Sequence, residues 1–365
     1  MFLYILLALF FVILIFYYSG NKERYNLNQI VWLPWLILLF LYVFRDKTVG
    51  TDYLNYIYKF ERLFTRPLTS GDFSLFDEPL YYYINYIIKT SGFSYYFLSL
   101  FVFVFSSFFL FHSVPRKYAL FFVPIFFLSY TYFSGYNTIR QFIASSIVLY
   151  GMKYVDNRWY LYIVCCLFAS LFHVSALLVI PFFALKYFSI SYKYNVLLII
   201  LVFICLLAGI DKIVFSSIGI SELLAGTDMI NGFGEYDQYF EMEQEGLNSK
   251  GIFANYVVLI FNVLIYLFVN KNKIIKNTFY SKMWFVGLLV SIFVTNYQWL
   301  FRFSYYFIIA EIVSISLYLG FNHHKSEGKT IIPLGSFIVI SLLFLVLIIK
   351  LYGNADGVVP YILSF

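Results

Sequence analysis

Long apolar stretches separated by short polar segments repeat along the chain. They cover residues 1–18, 30–44, 94–111, 118–133, 139–150, 194–209, 252–269, 279–296, 300–321 and 331–351. Most of them approach the roughly 20 apolar residues that a helix needs to cross a bilayer. The pattern predicts an all-α polytopic integral membrane protein in which residues 1–365 form a single membrane domain.

Composition agrees with this class, because 62% of the residues are hydrophobic and only 12% are charged. The first apolar stretch has neither a basic n-region nor a small-residue cleavage site, so we interpret it as a retained helix. Cys165, Cys166 and Cys205 lie inside apolar stretches, which argues against a disulfide or a metal site. In a membrane protein the net charge of +6 is informative about topology, through its distribution among the loops. We therefore expect no nucleic-acid partner.

Lysine and arginine in the short loops predict the orientation. Residues 21–28 are assigned to the cytoplasm, which places the N-terminus and the loop at Arg45 outside. If residues 159–187 formed one span, the later lysine-rich loops would lie outside, against the rule. Two short helices turning near His173 and Ser175 keep those loops inside. We therefore predict twelve inserted segments with both termini outside.

Three arginines then fall on the outer side, at the ends of apolar stretches: Arg45, Arg140 and Arg302. A guanidinium group is a planar fork of donors that binds phosphate oxygens bidentately, which suits a diphosphate at a membrane boundary. Any one of these arginines alone would more often reach lipid headgroups or pair with a neighbouring acid. Three on the same side favour a shared diphosphate site.

Two carboxylates near the same surface are candidate proton acceptors, Asp52 and Glu78. A carboxylate within hydrogen-bond reach of a sugar hydroxyl can remove its proton, and partial burial raises its basicity. The alternative is structural and equally compatible with the local sequence. Asp52 would cap a helix from Tyr53 onward, and Glu78 before Pro79 resembles a helix start.

Other polar features leave their role open. His173 fits a base, a donor to phosphate or a hydrogen-bonded packing histidine. Glu311 lies within an apolar stretch, where a neutral or internally paired structural role is favoured. Residues 45–78 form an outer loop with the first motif, and residues 210–251 form a long acidic outer loop with aromatic residues. A loop of this length is often a lid, although its acids could equally serve only solubility.

The order of five motifs resembles the EpsG-type branch of the Wzy polysaccharide polymerases. Arg45 is followed by VGTDY, and then come EPLYYYINYIIK, IRQFIASSI, FHVSAL and FRFSYYF. Each motif is weak alone, but their order in a many-helix protein is fairly specific. Candidate supporting residues within or next to these motifs are Gly50, Thr51, Tyr53, Tyr56, Gln141, Ser175 and Tyr305.

The resemblance implies a GT-C-like membrane glycosyltransferase at the outer face of the bacterial plasma (inner) membrane. Such polymerases transfer a growing glycan from undecaprenyl diphosphate to a lipid-linked repeat unit, with inversion, in O-antigen, capsule or exopolysaccharide biosynthesis. It implies no cofactor and no metal. The implied partners are undecaprenyl-diphosphate-linked glycans, the lipid bilayer, and a chain-length regulator and a flippase of the same pathway.

The resemblance also implies roles for the candidate residues. The three arginines stabilise charge on the diphosphate, Asp52 or Glu78 deprotonates the acceptor hydroxyl, and His173 orients one of these groups.

Four other classes remain open on the sequence. A lipid-linked glycan ligase shares the donor and the architecture and differs only in the acceptor. A flippase would carry charges along a path at the membrane midplane, whereas most of the charge here lies at the outer side. A membrane acyltransferase would need a histidine reachable from the cytoplasm. A purely structural membrane protein would tolerate replacement of the outer arginines.

Overall fold

The computed structural model describes residues 1–20, 27–63, 78–189, 191–217, 249–325, 333–354 and 356–364. Within these ranges every named element is a helix, which confirms the all-α class. The isolated β-bridge in this part of the chain pairs Arg45 with Leu363. The predicted outer loops at 45–78 and 210–251 lie partly outside the described residues, because 64–77 and 218–248 are not described.

The helices of the first half are short and numerous. They are α1 (Phe2–Gly20), α2 (Leu27–Val43), α3 (Tyr53–Glu61), α4 (Pro79–Thr90), α5 (Tyr95–Ser113), α6 (Ala119–Leu128), α7 (Thr131–Asn137), α8 (Ile139–Met152) and α9 (Val155–Ser170). A 3₁₀ turn (Arg116–Tyr118) precedes α6, and a 3₁₀ helix of 14 residues (Val174–Tyr187) follows α9.

The described part of the second half contains eight further α-helices. They are α10 (Tyr192–Leu207), α11 (Ile210–Ser217), α12 (Ser249–Asn270), α13 (Lys273–Lys276), α14 (Phe279–Phe293), α15 (Gln298–Ile308), α16 (Ala310–Lys325) and α17 (Leu334–Gly353). Residues 356–364 come after α17 and form an irregular segment, which we call the C-terminal strap.

Several helices are apolar enough to belong in a membrane. In the described residues three are also long enough to cross it: Tyr95–Ser113, Phe301–Asn322 and Leu334–Gly353. The bent pair α6–α7 raises this number to four if it forms one span, and the other apolar helices have 10–17 residues. The chain is thus a helical membrane protein, while twelve inserted segments remain a prediction.

The apolar stretch 118–133, expected to be continuous, is broken into α6 and α7 with a bend of 58°. The break lies at Tyr130, whose φ of 69° is in the left-handed region that residues other than glycine seldom adopt. The Lys350 ammonium lies 4.7 Å from the centre of the Tyr130 ring. An apolar pattern carries no signal for such a break, because tyrosine is an ordinary helix residue.

The predicted helix pair in residues 159–187 is present as α9 and the 3₁₀ helix, with His173 immediately before the latter. The Tyr162 hydroxyl donates to the Val179 carbonyl at 2.9 Å and ties the two together. Lys282 donates to the Leu185 carbonyl at 3.1 Å, next to the end of the 3₁₀ helix. The chain therefore reaches one end of the helix bundle at His173 and runs back toward the opposite end along the 3₁₀ helix.

Tyrosine hydroxyls join the helices through backbone carbonyls. Such bonds run from Tyr42 to Gly135 (2.8 Å), Tyr132 to Leu38 (2.8 Å), Tyr280 to Ser113 (3.0 Å) and Tyr361 to Leu41 (3.0 Å). Apolar burial drives helix association only weakly within a bilayer, so packing and interhelical hydrogen bonds carry more of the stabilisation. Part of the high tyrosine content therefore serves helix packing.

Gly287 allows α14 and α15 to approach closely. A Cβ atom at this position would lie 2.8 Å from the Ile308 backbone nitrogen and 2.8 Å from the Phe307 Cβ atom. We expect Gly287→Ala to lower the free energy of unfolding by about 1–3 kcal/mol, because two helices would have to separate. Thermal unfolding in detergent measures the effect, and Gly353→Ala, where a Cβ atom meets nothing within 4 Å, is the control. Equal unfolding temperatures would contradict this explanation.

Candidate active site

Asp52 and Glu78 both stand immediately before a helix, but neither side chain caps it. Asp52 precedes α3 and Glu78 precedes α4, whose first residue is Pro79. Glu78 adopts a left-handed backbone conformation with φ 54°, an uncommon state for a residue with a side chain. Such strain is retained where surrounding contacts hold it, and it is concentrated at functional sites. Both carboxylates are therefore free to make longer-range contacts.

Glu78 makes two side-chain contacts to distant parts of the chain. One carboxylate oxygen accepts from Arg140 Nη1 on α8, and the other is bonded to His173 Nδ1 after α9. The Glu78 side chain is only 6% exposed, whereas Arg140 keeps 37% of its side-chain surface. Glu78 therefore holds both partners in place while leaving part of the guanidinium group open.

Asp52 forms a second carboxylate–arginine pair. Its Oδ2 accepts from Arg302 Nη2 of α15 at 3.2 Å, and the arginine side chain is 43% exposed. Gln141, next to Arg140 on α8, donates from Nε2 to the Arg302 backbone carbonyl at 2.6 Å. This bond places the two ion pairs side by side at one end of the helix bundle.

Tyrosines lie among these charges. Tyr56 interacts with Arg140, Asp52 and Glu78, so it borders both ion pairs. Tyr305 interacts with Arg302 and Asp52. Tyr306 accepts from or donates to the Ser175 hydroxyl at 3.0 Å. The site thus contains tyrosine hydroxyls as well as charged groups.

Arg45 is placed differently from the other two arginines. Its guanidinium carbon lies 4.3, 3.7 and 4.4 Å from the ring centres of Tyr42, Tyr53 and Tyr136, and the residue is 1% exposed. Its Nη1 donates to the Tyr42 carbonyl at 2.5 Å, while Nε and Nη2 have no hydrogen-bond partner. Cation–π contact replaces hydration here. Arg45 was predicted to share a diphosphate site with Arg140 and Arg302, but in this conformation its guanidinium group is closed off from a diphosphate.

Gly50 and Thr51, two of the supporting residues, are held by the C-terminal strap. Gly50 N–H donates to the Gly357 carbonyl at 2.9 Å, and Thr51 N–H donates to the Asp356 carbonyl at 3.2 Å. Asn137 Nδ2 donates to the same Asp356 carbonyl at 2.8 Å. Neither Asn137 nor Asp356 was predicted from the sequence to belong to the site. The only available signal was a polar residue at the end of an apolar stretch.

The ionisation of Glu78 follows from its partners. Burial opposes the charged form, but the hydrogen bond from His173 and the charge of Arg140 outweigh it, so the pKa of Glu78 lies below its ordinary value. Burial raises the pKa of the Tyr56 hydroxyl, although Arg140 opposes this. Glu78 is therefore a stable anion and a weak base, and Tyr56 is a neutral hydrogen-bond donor.

The lowered pKa of Glu78 predicts a pH-dependent contribution to stability. This contribution is fully present above the ordinary carboxyl pKa of about 4.3 and is lost as the pH falls through the lower folded-state pKa. We expect Glu78→Gln to lower the unfolding temperature by a constant amount from pH 8 to pH 6, and by less below about pH 4. Thermal unfolding in detergent at several pH values tests this, with the exposed carboxylate variant Glu61→Gln as control. A difference that already vanishes at pH 6 would contradict the assignment.

Other sequence candidates lie outside this site. Glu311 on α16 is 5% exposed and interacts electrostatically with Lys350 of α17, as an internally paired role would require. Asp211, in the described part of the long outer loop, is buried and accepts from Asn296 at 3.0 Å. Among the described residues no group of three or more His, Cys, Asp or Glu side chains could hold a metal ion.

These features define a polytopic helical membrane protein with paired arginines and carboxylates gathered at one end of the bundle. A family model described as the EpsG family matches residues 30–363, and the chain belongs to this family. The family indicates a polysaccharide polymerase in general, and therefore an enzyme of the glycosyltransferase kind. Comparison with curated proteins gave no match, and neither did comparison with solved structures.

Proposed function

We propose that the protein is a Wzy-type polymerase of GT-C-like architecture that transfers a growing glycan from undecaprenyl diphosphate to a lipid-linked repeat unit. The reaction takes place at the outer face of the plasma membrane. The observation that carries this proposal is the pair of neighbouring carboxylate–arginine contacts, Glu78–Arg140 and Asp52–Arg302. In this proposal the protein binds undecaprenyl-diphosphate-linked glycans and the bilayer, and its further partners are a chain-length regulator and a flippase of the same pathway.

The arginines bind the diphosphate of the donor. Each keeps more than a third of its side-chain surface exposed, 37% for Arg140 and 43% for Arg302, while a carboxylate fixes its position. Preorganised positive charge at the place where negative charge develops is a major source of rate enhancement. As the bond between the anomeric carbon and the diphosphate oxygen breaks, the two guanidinium groups stabilise the departing anion.

His173 is the proton acceptor that the geometry favours, and Glu78 orients it. Both Glu78 oxygens are already bonded and its pKa is lowered, so Glu78 is a poor base. Its bond to Nδ1 of His173 leaves Nε2 to take the acceptor hydroxyl proton, the arrangement of an oriented general base. This exchanges the two roles that the sequence argument gave to Glu78 and His173.

Asp52 is the second candidate base. Its side chain is 24% exposed and contacts Arg302 through Oδ2, so Oδ1 can face an acceptor hydroxyl. Either base permits the same displacement. The hydroxyl oxygen attacks the anomeric carbon, its proton passes to the base, and the undecaprenyl diphosphate leaves from the opposite side, with inversion.

Arg45 has a structural role in this proposal. Three tyrosine rings enclose its guanidinium group, and these rings come from α2, α3 and α7. Because Tyr53 follows Asp52 directly, the contact with Arg45 fixes the helix start that carries Asp52.

The experiment is a polymerisation assay with purified protein and lipid-linked repeat units in vesicles. We expect a ladder of products that differ by one repeat unit, without nucleotide sugar. Transfer of a single repeat unit to a different acceptor would favour a ligase instead. Absence of any glycan product, with the protein folded and the donor intact, would refute the proposal.

A further inference from the structure

We infer that Asn137 is a positioning residue, which holds the loop at residues 50–52 against the beginning of α8. The inference rests on the proposed function, because it concerns the distance between the Asp52–Arg302 pair and the Glu78–Arg140 pair. Asn137 is the last residue of α7, and Arg140 follows in the first turn of α8. Its side-chain hydrogen bonds go to Asp356 and not to either ion pair, so its effect passes through the loop.

The Asp356 backbone carbonyl connects the two segments. Asn137 Nδ2 donates to this oxygen at 2.8 Å and to the Asp356 carboxylate oxygen Oδ1 at 3.3 Å. The same carbonyl accepts from Thr51 N–H at 3.2 Å. Thr51 directly precedes Asp52, so one acceptor joins the amide of Asn137 to the backbone that carries a site carboxylate.

Gly50 lies in direct contact with Asn137. Its φ is +109°, and a Cβ atom there would be 2.7 Å from Asn137 Oδ1. The Asn137 side chain is buried, with 4% of the residue exposed, and Oδ1 has no hydrogen-bond partner. The amide is therefore oriented by its donor bonds to Asp356, while its oxygen rests against the glycine.

The Asp356 carboxylate is anchored from its other side. Tyr130, at the break between α6 and α7, and Lys350 of α17 both interact with it electrostatically. Tyr305 interacts with Asp356 as well as with Arg302 and Asp52. Asp356 thus lies between α7, α15 and α17, and a segment bonded to it has a defined position relative to the site.

Loss of the Asn137 donor should misplace Asp52 without removing any group that touches substrate. A displacement of about 1 Å can cost on the order of 10²-fold in rate when reacting groups must be aligned. Binding of the lipid-linked substrates depends mainly on the arginines. We therefore expect kcat to fall while KM changes little.

The test compares Asn137→Ala and Asn137→Asp with the matched control Asn195→Ala. Asn195 is also 4% exposed and donates one amide bond at 2.8 Å, to Tyr266 outside the site. Asn137→Asp keeps the side-chain volume and removes the donor, but it also places a carboxylate beside that of Asp356. Adding Asp356→Asn removes this like-charge contact without restoring the bond to the Asp356 backbone carbonyl. The readouts are kcat and KM for polymerisation, and hydrogen–deuterium exchange of the Gly50 and Thr51 amides in the full-length protein.

We expect kcat to fall about 10- to 100-fold in both single variants at position 137, with KM within about threefold of wild type. The Gly50 and Thr51 amides should exchange faster in these variants and not in Asn195→Ala. The double variant should stay slow, because the bond to the Asp356 carbonyl is still missing. Unchanged exchange at these amides, or a loss of kcat no greater than in Asn195→Ala, would overturn the inference. The exchange measurement needs no catalysis, so it decides the contact even if wild-type protein forms no polymer and the proposed function fails.

Discussion

Arg140→Ala is expected to reduce polymer formation by about 10²- to 10³-fold, the cost of removing one preorganised group that stabilises developing charge. The variant also takes the arginine partner away from the Glu78 carboxylate, which is 6% exposed and keeps its contact with His173. Arg140→Lys should not restore the rate fully, because a single ammonium group cannot reproduce a fork of donors shared between Glu78 and a phosphate oxygen.

The rate of appearance of the second and later repeat units in the product ladder measures this effect. Arg116→Ala is the matched control, because Arg116 is exposed in the 3₁₀ turn before α6, away from the site. Arg302→Ala should resemble Arg140→Ala, with Asp52 losing its partner. Polymer formation at the wild-type rate in Arg140→Ala would refute the assignment of this arginine to the diphosphate.

His173→Ala is expected to lower kcat by about 10²- to 10⁴-fold, the usual contribution of a general base. Added imidazole should restore part of the rate, because a small base can occupy the space vacated beside Glu78. Asp52→Asn keeps the shape of the side chain and should lower kcat less, through its weakened contact with Arg302. The measurement is kcat for each variant over pH 6–9, with and without imidazole.

His112→Ala serves as the control, because the exposed His112 side chain bonds within α5, to the Phe108 carbonyl. The opposite ranking is equally informative. If Asp52→Asn abolishes turnover while His173→Ala keeps more than a tenth of it without imidazole, Asp52 is the base and His173 only packs against Glu78.

Much of the fold could be predicted from the sequence, because a helix that crosses a bilayer must be apolar and about 20 residues long. The distribution of lysines identified residues 159–187 as two helices, and the structure has α9 and the 3₁₀ helix there. The break at Tyr130 escaped prediction because it depends on tertiary contacts, among them the Lys350 ammonium over its ring.

The candidate site was predictable in its members and not in its pairing. Asp52, Glu78, His173, Arg140 and Arg302 all stood out as polar residues predicted to lie near the outer surface. The pairing of each carboxylate with its arginine depends on helix packing, and the spacing of residues in the sequence does not predict that packing. The enclosure of Arg45 was likewise hidden, since tyrosines at 42, 53 and 136 are three among the 36 in the chain.

The 3₁₀ helix Val174–Tyr187 has a geometric consequence for how this protein fits a bilayer. A 3₁₀ helix rises about 2.0 Å per residue, so its 14 residues extend about 28 Å, whereas an α-helix of equal length would extend about 21 Å. That reach nearly equals a hydrocarbon thickness of about 30 Å. A segment of fewer than about 20 residues can thus be long enough to cross the lipid interior when it forms a 3₁₀ helix. We expect deletion of a single residue from it to displace His173.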